Sequence, residues 1–288
     1  MIVSKISGGI GNQMFQYALG KSLSSRLKTE LKLDISYYKT QKLRNCELNS
    51  FAIDVPVATE KEISAFFSAN NQPVFFRLKN KIKRKLFRSE IYCEPEYLFN
   101  DRVFNVSRNA YIDGYWQSEK YFIEIEKEIR SDFRFKKTAP ALSLQMMQRI
   151  QNSNSVSLHI RRGDYVTDEY IFNAQGICSM EYYAEAIKYI NERTKDPIFF
   201  IFSDDMNWVK ENFKSGSNNY FIDFNSDATE DLRLMSLCKH NIIANSTFSW
   251  WGAWLNTNPE KIVIAPKAWF KDGKKSSKDL LPQSWIKL

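Results

Sequence analysis

Short apolar segments alternate with amphipathic ones along most of the chain. Residues 2–7 alternate apolar and polar side chains as a strand does, and residues 13–27 carry apolar side chains at helical spacing. Residues 31–35 form a second strand-like segment. The start of the chain is therefore predicted to fold as a strand, a loop of sequence GGIGN, a helix and a second strand.

The middle of the chain is less regular. Thr59–Glu62 is a capping box that predicts a helix through Phe67. Residues 70–110 are irregular and basic, and no element is predicted there. Residues 109–116 then resemble a strand, and residues 118–129 resemble a helix.

The second half of the chain is more regular, with short apolar strands separated by helices. Such alternation is typical of a parallel sheet covered by helices on both faces. A polar segment ending at Pro140 precedes this half, so we predict two α/β domains, residues 1–138 and 139–288, with a cleft between them. The strands predicted in this half are residues 155–160, 198–203, 219–223, 241–245 and 261–266, and the helices are residues 179–192, 206–212, 228–239 and 247–255.

The composition is that of packed domains without a membrane span. Of the 288 residues, 43% are apolar and 15% are aromatic, and no uncharged apolar run reaches the roughly 18 residues that a span needs. The chain starts with a strand-like segment and has no hydrophobic signal region. Its four scattered cysteines argue against a zinc site or a disulfide framework. We therefore predict a cytoplasmic protein.

The chain is basic, and part of the excess lies in one segment. A net charge of +8 at pH 7 suits an acidic partner, such as a sugar phosphate, a nucleic acid or an anionic lipid. Lys79–Arg88 holds six Lys and Arg residues and no Asp or Glu. This segment is predicted to be either a solvated helix face or a peripheral contact with an anionic membrane.

Three polar clusters follow predicted strands of the second half: His159–Tyr165, Ser203–Asp205 and Asn245–Ser249. In open α/β sheets, ligands bind beyond the carboxyl ends of the strands, and neighbouring strands lie about 5 Å apart. The clusters could therefore line one nucleotide-sized site. Arg161 and Arg162 can present forked donors to a diphosphate, which a lysine cannot do.

The other two clusters also suit a nucleotide. The backbone N–H groups around Ser246 and Thr247 form an anion cradle at a helix N-terminus, and an aspartate of Ser203–Asp205 could accept paired hydrogen bonds from guanine. Taken singly, a Ser or Thr at a helix start is usually only a cap, and two aspartates after a strand are usually only a turn. Arg162–Asp164 is also an adhesion tripeptide, an interpretation that a cytoplasmic location disfavours.

Several common cofactor motifs are absent from the sequence. No Asp-x-Asp triplet occurs, which is the usual manganese-holding device of metal-dependent sugar-nucleotide enzymes. There is no P-loop motif, and the dinucleotide-binding fingerprint that begins at Gly9 lacks its third glycine. These absences argue against a metal held in that usual way, against a P-loop ATPase and against a bound dinucleotide cofactor.

Three motifs together carry a family resemblance. HIRRGDY (159–165), GGIGNQMFQYALG (8–20) and NSTFSWWGAWLN (245–256) resemble the motifs of bacterial α-1,2-fucosyltransferases of glycosyltransferase family 11, and the resemblance extends over nearly the whole chain. It implies a GT-B fold of two Rossmann-like domains, GDP-fucose as donor, inversion at the anomeric carbon and no required metal. It also implies that the first domain is the acceptor side and that the second binds GDP-fucose.

The resemblance assigns roles to individual residues. Arg161 matches the arginine that holds the β-phosphate, with Arg162 and His159 supporting the phosphate and ribose. The turn that recognises guanine matches Ser203–Asp205, through either Asp204 or Asp205. The remaining donor contacts that it implies are Asn12 in the Gly8–Gln13 loop, together with Ser246, Thr247 and Phe248.

An inverting transfer also needs a group that removes the acceptor proton. The resemblance suggests a carboxylate shortly after the arginines, and we name Glu169, with Asp164 as the alternative and Asp168 nearby. The implied acceptor is the 2-hydroxyl of a terminal β-galactoside, in an O-antigen, a capsule or another surface polysaccharide.

Other interpretations stay open at this stage. A fucosyltransferase that forms another linkage fits the same motifs, and a nucleic-acid-binding protein fits the basic composition. A sugar-binding module without turnover fits less well, because a lectin needs no diphosphate site. Trp250 and Trp254 share a helical face and are predicted to be core, Trp251 is the candidate for sugar stacking, and His240 is predicted to be structural.

Overall fold

The computed structural model describes residues 1–40, 44–70, 89–213, 218–225, 227–271 and 276–288. The chain divides into two compact units, Met1–Lys136 and Lys137–Leu288, so the division lies two residues before the predicted boundary. The basic segment Lys79–Arg88 lies outside the described residues.

The first unit is built on a parallel sheet. Its strands are β1 (Ile2–Lys5), β2 (Leu31–Asp34), β3 (Glu90–Cys93) and β4 (Ala110–Asp113). They pair in the order β2-β1-β4-β3, and every pair is parallel. The helices of this unit are α1 (Ile10–Leu27), α2 (Tyr37–Thr40), α3 (Glu60–Asn70) and α4 (Glu126–Asp132).

Helix α1 begins earlier than predicted, inside the GGIGN sequence. Gly9 is its N-cap, and the preceding Gly8 has a φ of 75°, which glycine adopts without strain. The first turns of α1 bury polar side chains as well as apolar ones. Gln16, for example, donates a hydrogen bond to the carbonyl of Gly114. Because such buried amides do not count as apolar positions, the helical pattern in the sequence starts only at Met14.

Two other parts of the first unit differ from the prediction. Strand β3 lies in the segment where no element was predicted, because it is an edge strand whose side chains are half-buried or exposed. The helix predicted over residues 118–129 is instead two 3₁₀ turns, Glu119–Tyr121 and Ile123–Ile125, followed by α4. Ser118 caps the first of these turns.

The second unit is a larger parallel sheet. Its strands are β5 (Asn154–Ile160), β6 (Pro197–Ser203), β7 (Asn219–Phe221), β8 (His240–Ile242), β9 (Val263–Ala265) and β10 (Ile286–Lys287). The order is β10-β9-β8-β5-β6-β7, again with every pair parallel. All five predicted strands are present, so the α/β class with parallel sheets is confirmed; the two-residue β10 was not predicted.

Helices connect the strands of the second unit. They are α5 (Ala141–Gln151), α6 (Gly163–Thr167), α7 (Glu169–Gln175), α8 (Met180–Asn191), α9 (Met206–Asn212), α10 (Ala228–Leu237) and α11 (Thr247–Leu255). The central strand β6 packs on both faces: Phe199 and Ile201 join one apolar cluster, and Phe200 and Phe202 join the other. This two-sided burial explains its unbroken apolar sequence.

Two other expectations bear on the chain as a whole. Cys46, Cys93, Cys178 and Cys238 are all free thiols, in agreement with the prediction of no disulfide framework. Among the residues that the structure describes, no helix is both long and apolar enough to cross a membrane.

Candidate active site

The three polar clusters lie at the carboxyl ends of three neighbouring strands. Arg161 and Arg162 follow β5, which pairs with β6 on one side and with β8 on the other. Asp204 and Asp205 follow β6. The Ser246 segment follows β8 and begins helix α11. Because all three strands are parallel, the clusters share one edge of the second sheet.

Arg161 lies against an aspartate from the neighbouring strand. Its Nη1 is 3.0 Å from Oδ2 of Asp204, and 15% of the arginine side chain is exposed. The guanidinium carbon also lies 5.2 Å from the ring centroid of Tyr165. The cation is therefore positioned by a carboxylate and an aromatic ring, with part of its surface open to a ligand.

Arg162 is held more tightly, and by different groups. Its Nε donates to Oδ2 of Asp205 over 3.1 Å, and its guanidinium carbon lies 3.5 Å from the ring centroid of Trp208. Its backbone N–H donates to Oδ1 of Asp204 over 2.9 Å. A side chain fixed in this way is not presented to an adhesion receptor, so the structure removes the adhesion interpretation of Arg162–Asp164.

Because Gly163 has no side chain, the carboxylate of Asp204 fits against it. A Cβ atom at this position would lie 2.1 Å from Oδ2 of Asp204, far inside van der Waals contact. The glycine is therefore required by close approach rather than by its φ angle, and it allows the carboxylate to reach Arg161.

Both aspartates already accept hydrogen bonds from their own chain. Asp204 accepts from the Arg162 N–H and pairs with Arg161. Asp205 is the N-cap of α9, where its Oδ1 accepts from the Trp208 N–H over 3.4 Å, and its other oxygen accepts from Arg162. Guanine recognition by either aspartate stays a prediction, and it requires the carboxylate to share these donors with the base.

His159 is buried at the end of β5. Burial, and then the charge of Arg161, lowers its pKa to about 3, so the imidazole is neutral at physiological pH. Its ring lies 5.6 Å from that of Phe248. Among the described residues, its Nδ1 has no hydrogen-bond partner. The imidazole can therefore offer a neutral hydrogen bond, but it cannot serve as a cation or as a base titrating near neutral pH.

The N-terminus of α11 faces the same sheet edge. Ser246 is its N-cap, with an extended backbone, and among the described residues its hydroxyl does not bond to an amide of the first turn. Thr247 and Phe248 are half-buried. Uncapped amides at the positive end of a nine-residue helix suit an anionic group.

Tyr165 and Asn245 link the first and third clusters, and neither had been given a role of its own from the sequence. The Tyr165 hydroxyl donates to the backbone carbonyl of Asn245 over 3.2 Å. The buried Asn245 amide donates in turn to the carbonyls of Gln175, Gly176 and Trp269. Their positions next to the arginine and serine motifs were the available signal. A buried Asn245 also cannot accept a glycan, although its sequence is formally a sequon.

The structure does not single out one residue as the base that removes the acceptor proton. Glu169 is the first residue of α7 and is exposed, as is Asp168. Asp164 lies in α6, but its side chain is outside what the structure describes. The assignment of proton removal to Glu169 or Asp164 stays a prediction.

The tryptophans of α11 are all core residues. Trp250 and Trp254 are buried as predicted, and Trp250 donates to the carbonyl of Leu280 over 2.9 Å. The prediction that Trp251 stacks on a sugar is wrong: it is fully buried and packs edge-on against both other rings. His240 is structural, since its Nδ1 accepts from the Ile262 N–H.

In the first unit, Asn12 lies in the first turn of α1 rather than in a loop. Its side-chain oxygen accepts a hydrogen bond from Nε2 of Gln117 over 2.9 Å. A Cβ at Gly8 would lie 2.9 Å from the Asn12 Nδ2, so the glycine also leaves room for this amide. The amide is therefore oriented by its own unit.

A further polar cluster, missed in the sequence, follows the edge strand β7. Asn225 donates to Asp231 over 2.6 Å and accepts from Ser143, while Asp227 caps α10. Burial, assisted by the negative charges of Asp227 and Glu230, raises the pKa of Asp231 to about 7. Its position after the predicted strand 219–223 was the only signal, because acids at a helix start usually indicate a cap.

Solved structures similar to this chain show its fold. A structure of NodZ α-1,6-fucosyltransferase soaked with GDP-fucose matches with a TM-score of 0.55 and 15% identity, over 91% of this chain and 94% of that chain. An Arabidopsis thaliana FUT1 mutant in complex with GDP matches with a TM-score of 0.54 and 10% identity, over 92% and 70%. The predicted GT-B-type fold class is thereby confirmed.

Sequence relatives are more specific. The Escherichia coli α-1,2-colitosyltransferase is 36% identical over 300 residues, which cover 100% of this chain and 99% of the relative. The E. coli O-antigen biosynthesis glycosyltransferase WbnK is also 36% identical, over 99% of each. Galactoside α-(1,2)-fucosyltransferase 1 of Saimiri sciureus is 26% identical over 156 residues, 50% of this chain and 42% of that one. The model of glycosyl transferase family 11 matches residues 1–288, and the chain belongs to this family.

Proposed function

We propose that the protein transfers L-fucose from GDP-fucose to the 2-hydroxyl of a terminal β-galactoside, with inversion. The observation that carries the proposal is the arrangement of two arginines, two aspartates and an uncapped helix N-terminus on the neighbouring strands β8, β5 and β6. Such an edge suits a diphosphate and a nucleoside better than a neutral ligand.

The similar proteins support the reaction class. A relative that matches the full chain is named as an α-1,2-colitosyltransferase, and one that matches half of it is named as an α-(1,2)-fucosyltransferase. Another relative, which matches 99% of the chain, is named for O-antigen biosynthesis. A surface polysaccharide is therefore the acceptor that we propose. The family match also disfavours the nucleic-acid-binding alternative, which rested on the basic composition, the segment Lys79–Arg88 and the many aromatic residues.

We assign to Arg161 the stabilisation of the charge that develops on the β-phosphate. As the bond to fucose breaks, negative charge grows on the β-phosphate, and a guanidinium stabilises that charge more in the transition state than in the ground state. The pair with Asp204 orients the guanidinium before the donor arrives. The amides at Ser246 and Thr247 would meet the same diphosphate from the neighbouring strand.

Arg162 is proposed as a positioning residue. It is stacked on Trp208 and bonded to Asp205, and these contacts fix the turn that carries Arg161. His159, kept neutral by burial, would donate or accept one hydrogen bond to the nucleotide, and Phe248 packs beside it. Asn12 is proposed as a donor contact from the first unit.

The acceptor hydroxyl has to lose its proton as the new bond forms, and we assign the removal of this proton to Glu169 or Asp164. We also propose that no divalent ion is required, since arginines supply the charge that opposes the diphosphate. The protein is proposed to act in the cytoplasm, with peripheral attachment to an anionic membrane through Lys79–Arg88 if the acceptor is attached to a lipid.

The test is a transfer assay with the purified protein and a panel of galactosides. GDP-fucose is compared with GDP-colitose and GDP-mannose, and the linkage of the product is determined by NMR. An α-1,2-fucosylated galactoside is expected. Transfer from GDP-mannose alone, or a product linked at another hydroxyl, would contradict the proposal.

A colitosyl donor is the second candidate, because a relative that covers the full chain is named α-1,2-colitosyltransferase. Colitose is L-fucose without its 3-hydroxyl, so the two donors differ by a single polar group. A kcat/KM for GDP-colitose at least tenfold above that for GDP-fucose would select this candidate.

A further inference from the structure

The carboxyl edge of the first sheet carries an ion pair that none of the donor contacts uses. The neighbouring strands β1 and β4 end at Lys5 and Asp113, whose Nζ and Oδ2 atoms are 2.9 Å apart. Their side chains are 35% and 37% exposed. Both charges therefore lie at the surface of the edge, where a ligand can reach them.

Tyr115 lies two residues after Asp113 and belongs to a group of tyrosines at this edge. The rings of Tyr97 and Tyr115 are stacked, with centroids 6.1 Å apart and planes inclined by 23°. Burial raises the pKa of Tyr115; Tyr97, Tyr37 and Asp113 raise it further, and Lys5 lowers it. All of these groups thus lie within electrostatic range of one phenol, and the three tyrosines are half-buried rather than covered.

The turn after β4 is held in a fixed, strained conformation. Glu94 accepts hydrogen bonds from the N–H groups of Tyr115 and Trp116, over 2.7 and 3.0 Å. A Cβ at Gly114 would lie 2.4 Å from the Cβ of Glu94, so only glycine fits. Trp116 has a φ of 56°, which is costly for a bulky residue. Strain of this kind persists where surrounding contacts fix a functional geometry.

The same turn contacts the glycine-rich segment of the first unit. Gln117 donates to Asn12, and the hydroxyl of Tyr38 donates to the Gly8 carbonyl over 2.8 Å. The ring of Tyr38 packs edge-on against that of Tyr37. The tyrosine cluster and the proposed donor contact Asn12 are therefore parts of one hydrogen-bonded edge.

We propose that Lys5, Tyr97, Asp113 and Tyr115 form the subsite for the acceptor pyranoside, an inference that rests on the proposed function. Aromatic faces pack against the apolar C–H face of a sugar ring, and a carboxylate accepts hydrogen bonds from two neighbouring hydroxyls. A neighbouring ammonium holds the carboxylate and donates to sugar oxygens. With Asp113 balancing Lys5, this edge suits a neutral sugar rather than a phosphate.

A structural role for the same residues predicts a different result. If Asp113 and Tyr97 only stabilise the unit, their loss lowers the melting temperature and changes the kinetic constants of both substrates together. In an acceptor subsite, their loss raises KM for the acceptor and leaves KM for GDP-fucose and the rate of acceptor-independent donor hydrolysis unchanged.

The experiment compares wild type with Asp113→Asn and Tyr97→Ala. We expect KM for the galactoside to rise about tenfold or more in each variant, the effect of one lost charge-assisted hydrogen bond or aromatic contact. KM for GDP-fucose should stay within twofold. Glu124→Gln is the matched control, because Glu124 is also an ion-paired carboxylate of the first unit, 3.5 Å from Arg26. Acceptor KM within twofold of wild type in both folded variants would overturn the subsite.

Saturation-transfer NMR with methyl β-galactoside separates this inference from the proposed function. If the wild type transfers nothing from GDP-fucose, the proposed function fails, and the NMR measurement still tests the subsite. A signal in the wild type that is lost in Asp113→Asn supports the subsite. Equal signals in both proteins, or none in the wild type, contradict it.

Discussion

The two sheets present very different edges at the ends of their parallel strands. The edge of the second unit is dense in paired charge, with Arg161 on Asp204 and Arg162 on Asp205. The edge of the first unit carries the surface ion pair of Lys5 and Asp113, set among phenols and amides. Both edges are built from the same strand-and-helix units, so the difference lies in side chains rather than in the fold.

Under the proposed function, this difference suits two substrates of opposite character. A diphosphate carries concentrated charge and needs cations that are oriented in advance, whereas a galactoside carries hydroxyls and an apolar face. Pairing each arginine with an aspartate reduces the electrostatic repulsion between two guanidinium groups on adjacent residues. We therefore expect substitutions at the second edge to act on the donor steps, and substitutions at the first edge to act on the acceptor.

Arg161→Ala tests the proposed donor edge, which is the edge of the second unit with Arg161, Arg162, Asp204 and Asp205. We expect the largest effect there. Loss of the group that opposes the growing phosphate charge should cost about 3–4 kcal/mol of transition-state stabilisation, or a hundred- to thousandfold in kcat. Arg161→Lys should recover only part of this, because an ammonium cannot bind bidentately. Initial rates and thermal melting measure activity and folding.

The matched control for this prediction is Arg193→Ala. Arg193 also belongs to the second unit, pairs with an acid and stacks on an aromatic ring, but it belongs to neither edge cluster. Its removal should leave kcat within twofold. Turnover within tenfold of wild type in a folded Arg161→Ala variant would remove Arg161 from the centre of the site.

Gly163→Ala changes the donor edge without removing any charge. The new methyl group collides with Asp204, so Asp204 and Arg161 must move, at a cost typical of overpacking, about 1–3 kcal/mol. We expect kcat to fall by roughly ten- to a hundredfold. Combining the change with Asp204→Ala removes the collision. The double variant should therefore lose less than the sum of the two single losses, and strict additivity would contradict the steric explanation.

The edge of the second unit could be predicted from sequence because its residues lie in short contiguous motifs. A strand followed at once by paired arginines places Arg161 at the carboxyl end of β5, and its role toward a diphosphate stays a prediction. The tyrosine edge could not be predicted in this way. Its residues come from distant segments, such as Lys5 and Tyr97, and β3, which precedes Tyr97, is a half-exposed edge strand without a clear pattern.

Helical periodicity also failed where burial is unusual. Helix α11 is apolar on all sides, so spacing alone could not show that Trp251 is as buried as Trp250. The start of α1 was missed for the opposite reason, since buried glutamines such as Gln16 look polar in the sequence but are fully bonded. In both cases tertiary contacts, rather than local pattern, decided the outcome.

The raised pKa of Asp231 in the second unit predicts a pH dependence of folding stability. Its folded-state pKa of about 7 lies above the unfolded value, near 3.9. Between about pH 4 and pH 7 the unfolded chain loses this proton while the folded chain keeps it, so stability should fall as the pH rises through this window. Asp231→Asn should flatten that part of the curve and stabilise the protein at pH 8 by on the order of 2 kcal/mol.

Asp223→Asn is the control with the opposite sign. Its hydrogen bond with Lys210 lowers the pKa of Asp223, so this carboxylate contributes stability above its unfolded pKa, and the contribution is lost as the pH falls. Chemical denaturation from pH 4 to pH 8 compares both variants with wild type. An unchanged slope in Asp231→Asn would show that Asp231 does not titrate in this range.

The smallest expected effect is that of a chelator. Under the proposed function, the charge that opposes the diphosphate comes from two guanidinium groups and a helix N-terminus, and Asp204 and Asp205 are already paired with those arginines. A divalent ion would have to compete for the same oxygens. Turnover in excess EDTA should therefore stay within twofold, and modest stimulation by added Mg²⁺ is compatible with faster release of GDP. Complete loss of activity that only Mn²⁺ or Mg²⁺ restores would contradict the division of roles between the two edges, because the arginines would then not carry the phosphate charge by themselves.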